Sequence, residues 1–212
     1  MGDAQAPQRK ETTVNLTKRQ WMRRAALASL AVPAAQLAAA APRSGLRGPG
    51  LLTVAGAIGA GNRKALDPAL DQMMVKQKIA FDRAQVFDFA ALAALPAVEI
   101  APTLEYDAKP HRLRGPRLEA VLKASGANPE GGGQVLLRAV DGYTVPLSFA
   151  DMRRYGFIVA THLDGAPMAL GGLGPLWAVY DADRHPDMAA KPVNERFALC
   201  PWGLYFIEVQ RG

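Results

Sequence analysis

Asp141-Gly142-Tyr143-Thr144-Val145-Pro146-Leu147-Ser148-Phe149-Ala150-Asp151 reads as a hairpin running into a helical turn. Asp-Gly suits the positive φ of a tight two-residue connection, so Asp141-Gly142 marks the point where the chain reverses. Gln134 to Val140 before it and Tyr143 to Leu147 after it alternate apolar and polar residues, which predicts two paired strands. Phe149-Ala150-Asp151-Met152 then predicts a short helical turn. Upstream, Gly131-Gly132-Gly133 is a flexible turn. It lacks the Lys-Ser/Thr ending of a phosphate-binding loop.

The same reading extends in both directions. Leu51 to Ile58 fits a first strand, and Asp67-Pro68 opens a predicted helix over 67–80 with Leu70, Met73, Met74 and Gln77 near helical spacing. Met73 and Met74 read as packing residues, because no His or further Met stands at ligand spacing. Gln85 to Phe89 predicts a strand, Ala90 to Leu95 a helical turn, and Val98 to Leu104 another strand. Pro116 opens a helix that runs to about Ser125 and stops at Gly126. Phe157 to Leu163, Leu176 to Tyr180 and Leu204 to Gln210 supply later strands, with Asp164-Gly165 as a turn. Short strands joined by tight turns, with two substantial helices, predict a mixed, strand-rich α+β single domain over 51–212 rather than a doubly wound sheet.

Charge is unevenly placed along the 212 residues. The formal net charge is +6, and residues 1–40 carry six Lys/Arg against Asp3 and Glu11, leaving +4 there and +2 over the rest. A basic nucleic-acid surface would keep its excess in the folded part, so no nucleic-acid partner is expected. After Arg24 no charge appears until Arg43, and ten Ala lie between Ala25 and Ala41. A basic start, a modestly apolar Ala-rich run and Ala38-Ala39-Ala40 as an A-x-A site predict an export signal over 1–40. Ser29, Pro33 and Gln36 interrupt the run, so no stable membrane span is expected once the signal is removed. Thr17-Lys18-Arg19-Gln20-Trp21-Met22 resembles the twin-arginine export motif with Lys in place of the first Arg. The general secretory route accepts such leaders too. Residues 41–50, rich in Gly and Pro, predict a linker, and the mature protein is expected to be periplasmic or secreted.

A family resemblance enters through four pieces in order. Asp141 to Asp151 resembles the D-G-Y-x-V…(L/F)-x-D segment of the molybdopterin-dependent oxidoreductase domain found in sulfite oxidases and related exported reductases. Gly115-Pro116-Arg117-Leu118 with Val121-Leu122 resembles the Gly-Pro-Leu helix that enters that domain. Asp164-Gly165-Ala166-Pro167-Met168 and Gly171-Gly172-Leu173-Gly174-Pro175-Leu176 resemble its D-G-x-P-L…G-G-P-L pair, and Tyr205-Phe206-Ile207-Glu208-Val209 its closing strand. The resemblance covers about residues 95–210. It implies a sulfite-oxidase-like molybdopterin-binding fold, a molybdenum atom held by a pterin dithiolene and one Cys, and contacts to the cofactor from Thr103, His111, Arg112, Gly172 and Gly174.

The sequence departs from that family at chemically meaningful positions. Thr103 stands near the place of the ligating Cys, and a neutral hydroxyl is a poor ligand for a soft metal centre. Trp177 follows Gly174-Pro175-Leu176 where the family commonly has Arg, and Cys200-Pro201-Trp202-Gly203 keeps a Trp but lacks the basic residues that meet anionic groups. Cys200, the single cysteine, reads as a buried thiol among Phe197, Leu199 and Trp202. His162 reads as a strand residue with a satisfied ring. Arg112, Arg114 and Arg117 offer anion binding or a solvated strand face, with His111 and Leu113 on the opposite face. Asp181, Asp183, His185 and Asp187 alternate like oxygen and imidazole ligands but match no calcium loop. Ser125 and Ser148 lie in no nucleophile elbow. Two functions follow: an exported molybdopterin-dependent oxidoreductase working with a periplasmic redox partner, or a cofactor-free periplasmic binding or accessory module that keeps the fold and takes a small molecule.

Overall fold

Residue-level detail comes from a computed structural model that describes residues 45–212. The expected leader at 1–40 and residues 41–44 of the expected linker lie outside the described residues. The Asp141-Gly142 hairpin forms as read: β6 (Gly133–Ala139) and β7 (Thr144–Ser148) pair with Val135 opposite Leu147 and Leu137 opposite Val145. The Asp141 carboxylate accepts the Tyr143 N–H at 2.8 Å, and Gly142 takes φ +94°. Ser148 then caps α4 (Phe149–Tyr155): its hydroxyl accepts the Asp151 N–H at 2.9 Å, a contact of about 1 kcal/mol.

Around the hairpin grows a six-stranded sheet. Its members are β1 (Leu52–Gly56), β2 (Arg63–Lys64), β3 (Arg83–Phe87), β6, β7 and β12 (Leu204–Arg211), in the order β2-β3-β1-β12-β6-β7. β12 runs parallel to β1 and antiparallel to β6. A second sheet orders β10 (Ala166–Pro167), β9 (His162–Leu163), β5 (Leu113–Pro116) and β4 (Ala97–Ile100), and β8 (Ile158–Ala160) pairs with β11 (Trp177–Val179) as a third. The helices are short: α1 (Gln72–Lys76), α2 (Phe89–Ala93), α3 (Leu118–Ala124), α4 and α5 (Pro186–Ala189). The result is strand-rich α+β. Among the described residues no helix is long and apolar enough to cross a membrane.

One face of the six-stranded sheet presents Leu52, Val54, Val135, Leu137, Ile207 and Val209 to the main core. They share it with Leu118, Val121 and Leu122 of α3 and with Phe149 and Met152 of α4. The other face carries a smaller cluster of Met74, Ile79, Ala84 and Phe206. That cluster explains a correction to the sequence reading. The helix expected over 67–80 is only α1, because Met74 is buried whereas Leu70 and Met73 are exposed, so no apolar stripe supports several turns. The Asp67 carboxylate accepts the Ala69 and Leu70 N–H groups in a turn instead, and Lys78 at φ +58° ends the segment. The strand expected over 98–104 likewise stops at Ile100. Pro102 has no N–H to extend the ladder.

The described part of the linker has no regular structure, yet it is tied down. The Arg47 and Gly48 N–H groups donate to one oxygen of Asp88, and the other oxygen caps α2 through the Ala91 N–H at 2.7 Å. Those amides, Ala91 first, hold the buried Asp88 carboxyl below the usual range.

The second and third sheets meet where β5 passes β8. A Cβ on Gly115 would lie 1.9 Å from the Val159 carbonyl oxygen, so only glycine admits this approach. Gly115→Ala is expected to destabilise by about 3 kcal/mol in urea unfolding. Gly131→Ala, where an added methyl meets nothing within 4 Å, should stay within about 0.5 kcal/mol.

Candidate functional site

Two adjoining recesses open beside the hairpin, and Tyr106 and Trp202 line both. The first, about 310 Å³, is walled by Glu105, Asp141, Tyr143, Phe197 and Cys200; the second, about 350 Å³, by Val140 and the Leu170–Gly174 loop. Tyr106 sits in the excursion between β4 and β5. Leu104 anchors that excursion in the core, and Leu104 N–H to Lys109 and Ala108 N–H to Leu104 close it at 2.9 and 3.1 Å. The Gly174 backbone lies so near Met168 and Ala169 that a Cβ there would sit 2.6 Å from the Met168 Cβ. Gly203 N–H donates to the Leu173 carbonyl at 3.3 Å, joining that loop to the segment carrying Trp202.

Trp177 fixes the floor. Its side chain is buried at 1% exposure, and its indole N–H donates to the Cys200 carbonyl at 2.8 Å. From the opposite side the Tyr143 hydroxyl donates to the Ala198 carbonyl at 2.7 Å. Desolvation of its hydroxyl end, then the Glu105 carboxylate, pushes the Tyr106 phenol up to about 12, although 56% of the residue is exposed. Burial pushes the Cys200 thiol well up, so it stays protonated. Among the described residues neither Glu105 nor Asp141 forms an ion pair with a cation.

The residues singled out from sequence fall in three places. Gly172 and Gly174 line the second recess. Thr103, expected to share a cleft with the Gly171–Gly174 loop, donates its N–H to Asp183 at 2.6 Å and pairs with Pro110; Tyr106, three residues on, reaches the loop instead. His111 and Arg112 belong to a separate clamp. The His111 ring bonds Asp164 through Nδ1 at 2.7 Å and Asp107 through Nε2 at 3.0 Å, and the Arg112 N–H donates to Asp164 at 2.9 Å. Arg112 and Arg114 are exposed with Leu113 buried between them, as alternation predicted.

The remaining candidates have structural partners. His162 packs against Phe89 with 5.5 Å between centroids and bonds the Thr161 hydroxyl. Asp183 pairs with Arg196, His185 with the Tyr155 carbonyl, and Asp187 with Tyr155 and Arg154, so the alternating run does not converge. Arg117 bonds the Gly156 carbonyl and Arg153 the Pro129 carbonyl, both beside the C-terminal end of α4 and away from the recess. The residues of the recess therefore do not fit a molybdopterin centre. The thiol is neutral and buried, the Thr103 backbone N–H is engaged by Asp183, and the recess walls carry two carboxylates and, among the described residues, no Lys or Arg. Sequence reasoning passed over Glu105, Tyr106, Asp141 and Tyr143 as groups lining the recess. The available signal was Tyr106 beside Glu105 and Asp107 and Trp202 between Pro201 and Gly203, two aromatic residues outside the alternating strands.

Two expectations follow. The carboxylates, Asp164 first, raise the His111 pKa above 6.5, so its stabilising share is complete below about 6.5 and is lost as pH rises through the raised value. Asp107 and Asp164 are lowered below 3.8, chiefly by His111, so their share is present above about 3.8 and is lost as pH falls through the lowered values. The urea-midpoint difference between the protein and His111→Gln should thus be largest between about pH 4 and 6.5 and shrink on either side. Cys200 should resist a thiol-specific chromogenic disulfide in the native protein and react fully in urea; rapid native labelling would contradict its burial.

No protein-family model matches the chain. No curated protein sequence matches it. Among solved structures, the sulfane dehydrogenase SoxCD from Paracoccus pantotrophus is similar over 74% of this chain and 37% of that one, at 13% identity and a TM-score of 0.45. The chain thus spans well under half the length of the SoxCD chain it matches.

Proposed function

We propose that the protein is a cofactor-free binding or accessory module, acting in the periplasm after export, which takes a small organic molecule into the recess between Tyr106 and Trp202. One observation carries this reading. The recess is walled by aromatic rings and two carboxylates, and its one cysteine thiol is held neutral. Such a wall suits recognition through apolar and π contacts with a few polar groups fixing orientation. It offers no thiolate to a metal and no guanidinium to a phosphate. The export leader supports the compartment. A sulfite-oxidase-like fold reused for binding agrees with the four ordered motifs, since function resides in the site rather than in the fold.

The second reading, a molybdopterin-dependent oxidoreductase, is favoured by those same motifs. Protein purified from cells competent for molybdopterin synthesis separates the two. Metal analysis and pterin fluorescence are expected to find neither molybdenum nor pterin with the folded chain. Stoichiometric amounts of both would establish the oxidoreductase and remove the binding module.

A further inference from the structure

Three exposed or half-exposed rings converge on one concavity, and the carboxylates beside them form no ion pair among the described residues. Tyr106, Tyr143 and Trp202 are 56%, 49% and 39% exposed. Large aromatic residues left in water around a recess are unusual for a surface with no ligand. We infer that the recess recognises an organic cation, a quaternary or protonated amine, through the ring faces of Tyr106, Tyr143 and Trp202 and the carboxylates of Glu105 and Asp141. This inference rests on the binding-module reading and names its ligand class.

Charge and geometry carry it. An aromatic face bears negative quadrupolar potential and attracts a cation placed over it, most strongly at Trp. The Tyr143 hydroxyl is already committed to the Ala198 carbonyl, which leaves its ring as the available surface. Tyr106 stays a neutral phenol up to about pH 12, so its ring is presented without a phenolate throughout the physiological range. Glu105 is partly buried, and among the described residues no Lys or Arg forms an ion pair with it or with Asp141. A neutral ligand would leave the Glu105 carboxylate without an ionic partner, and an anionic one would meet repulsion from both carboxylates. A cationic head group satisfies rings and carboxylates together. At about 310 Å³ the first recess lies at the small end of ligand pockets, which fits a compact head group. The second recess beyond Tyr106 and Trp202 gives room for an apolar substituent along Leu170 and Leu173.

Choline chloride and its uncharged carbon isostere, 3,3-dimethylbutan-1-ol, test the inference by calorimetric titration of the full chain. Choline is expected to bind at least about tenfold more tightly than the isostere. Trp202→Ala should weaken choline about tenfold, and the isosteric Glu105→Gln, which keeps the shape of the wall, should weaken it by a similar factor and flatten its salt dependence. Circular dichroism on each variant confirms that the fold is kept. Equal binding of choline and the isostere would overturn the cation and leave the binding module standing. Absence of saturable choline binding, or Glu105→Gln and Trp202→Ala both binding choline as the parent does, would overturn it as well. Stoichiometric molybdenum and pterin in the purified protein is the separate result that removes the binding module itself.

Discussion

β12 hydrogen-bonds along both of its edges, parallel to β1 over Thr53–Gly56 and antiparallel to β6 from Ala139 back to Gly133. It therefore joins the beginning of the domain to its middle through the end of the chain. Neither β1-β3-β2 nor β6-β7 forms the whole sheet without it, and the core face defined by Val54, Leu137 and Ile207 exists only when all three strands are in register. A register shift between Leu204 and Phe206 adds a local twist. It lets Tyr205 and Phe206 enter the same small cluster with Met74 and Ala84. Trp202 lies two residues before this strand, so the recess takes its position from the sheet's central member.

Local chemistry was legible in the sequence. Asp141-Gly142 gives the hairpin, Phe149–Met152 the helical turn that becomes α4, Gly126 the stop after α3, and Asp164-Gly165 the turn between β9 and β10, because each depends on residues within a few positions. The parallel partnership of β1 and β12 was not legible, since about 150 residues separate the strands and alternation says nothing about which neighbour a strand takes. The overlong helix at 67–80 failed for a related reason. Helical spacing is a local property, but whether Leu70 and Met73 find a surface to cover is a tertiary one.

The site was legible in part. The glycine loop at 171–174 and the Cys200–Trp202 segment were both singled out, and both line the concavity. The reading went to Thr103 because a motif fixes a position along the chain, whereas a buried neighbour fixes which side chain faces a cavity. Leu104 enters the core, and the excursion it anchors delivers Tyr106 rather than Thr103 to the glycine loop. His111 and Arg112 were named as cofactor contacts by the family resemblance, and Arg112 was read with Arg114 and Arg117 as anion-binding or solvated. The carboxylates of Asp107 and Asp164, brought near by the 101–111 excursion and the β9–β10 turn, hold the His111 ring, whereas Arg112 meets Asp164 through its backbone N–H alone.

The bond from the Tyr143 hydroxyl to the Ala198 carbonyl spans two segments that share no strand ladder, the end of the hairpin turn and the loop leading to β12. It makes them one body. The Tyr143 side chain is therefore held in the free protein, and its rotational freedom is lost on folding rather than on association. An immobilised side chain of that kind otherwise costs about 0.5–1.5 kcal/mol at the moment of binding. Because that entropy is already lost in the free protein, the binding proposed for the recess carries no such cost at Tyr143.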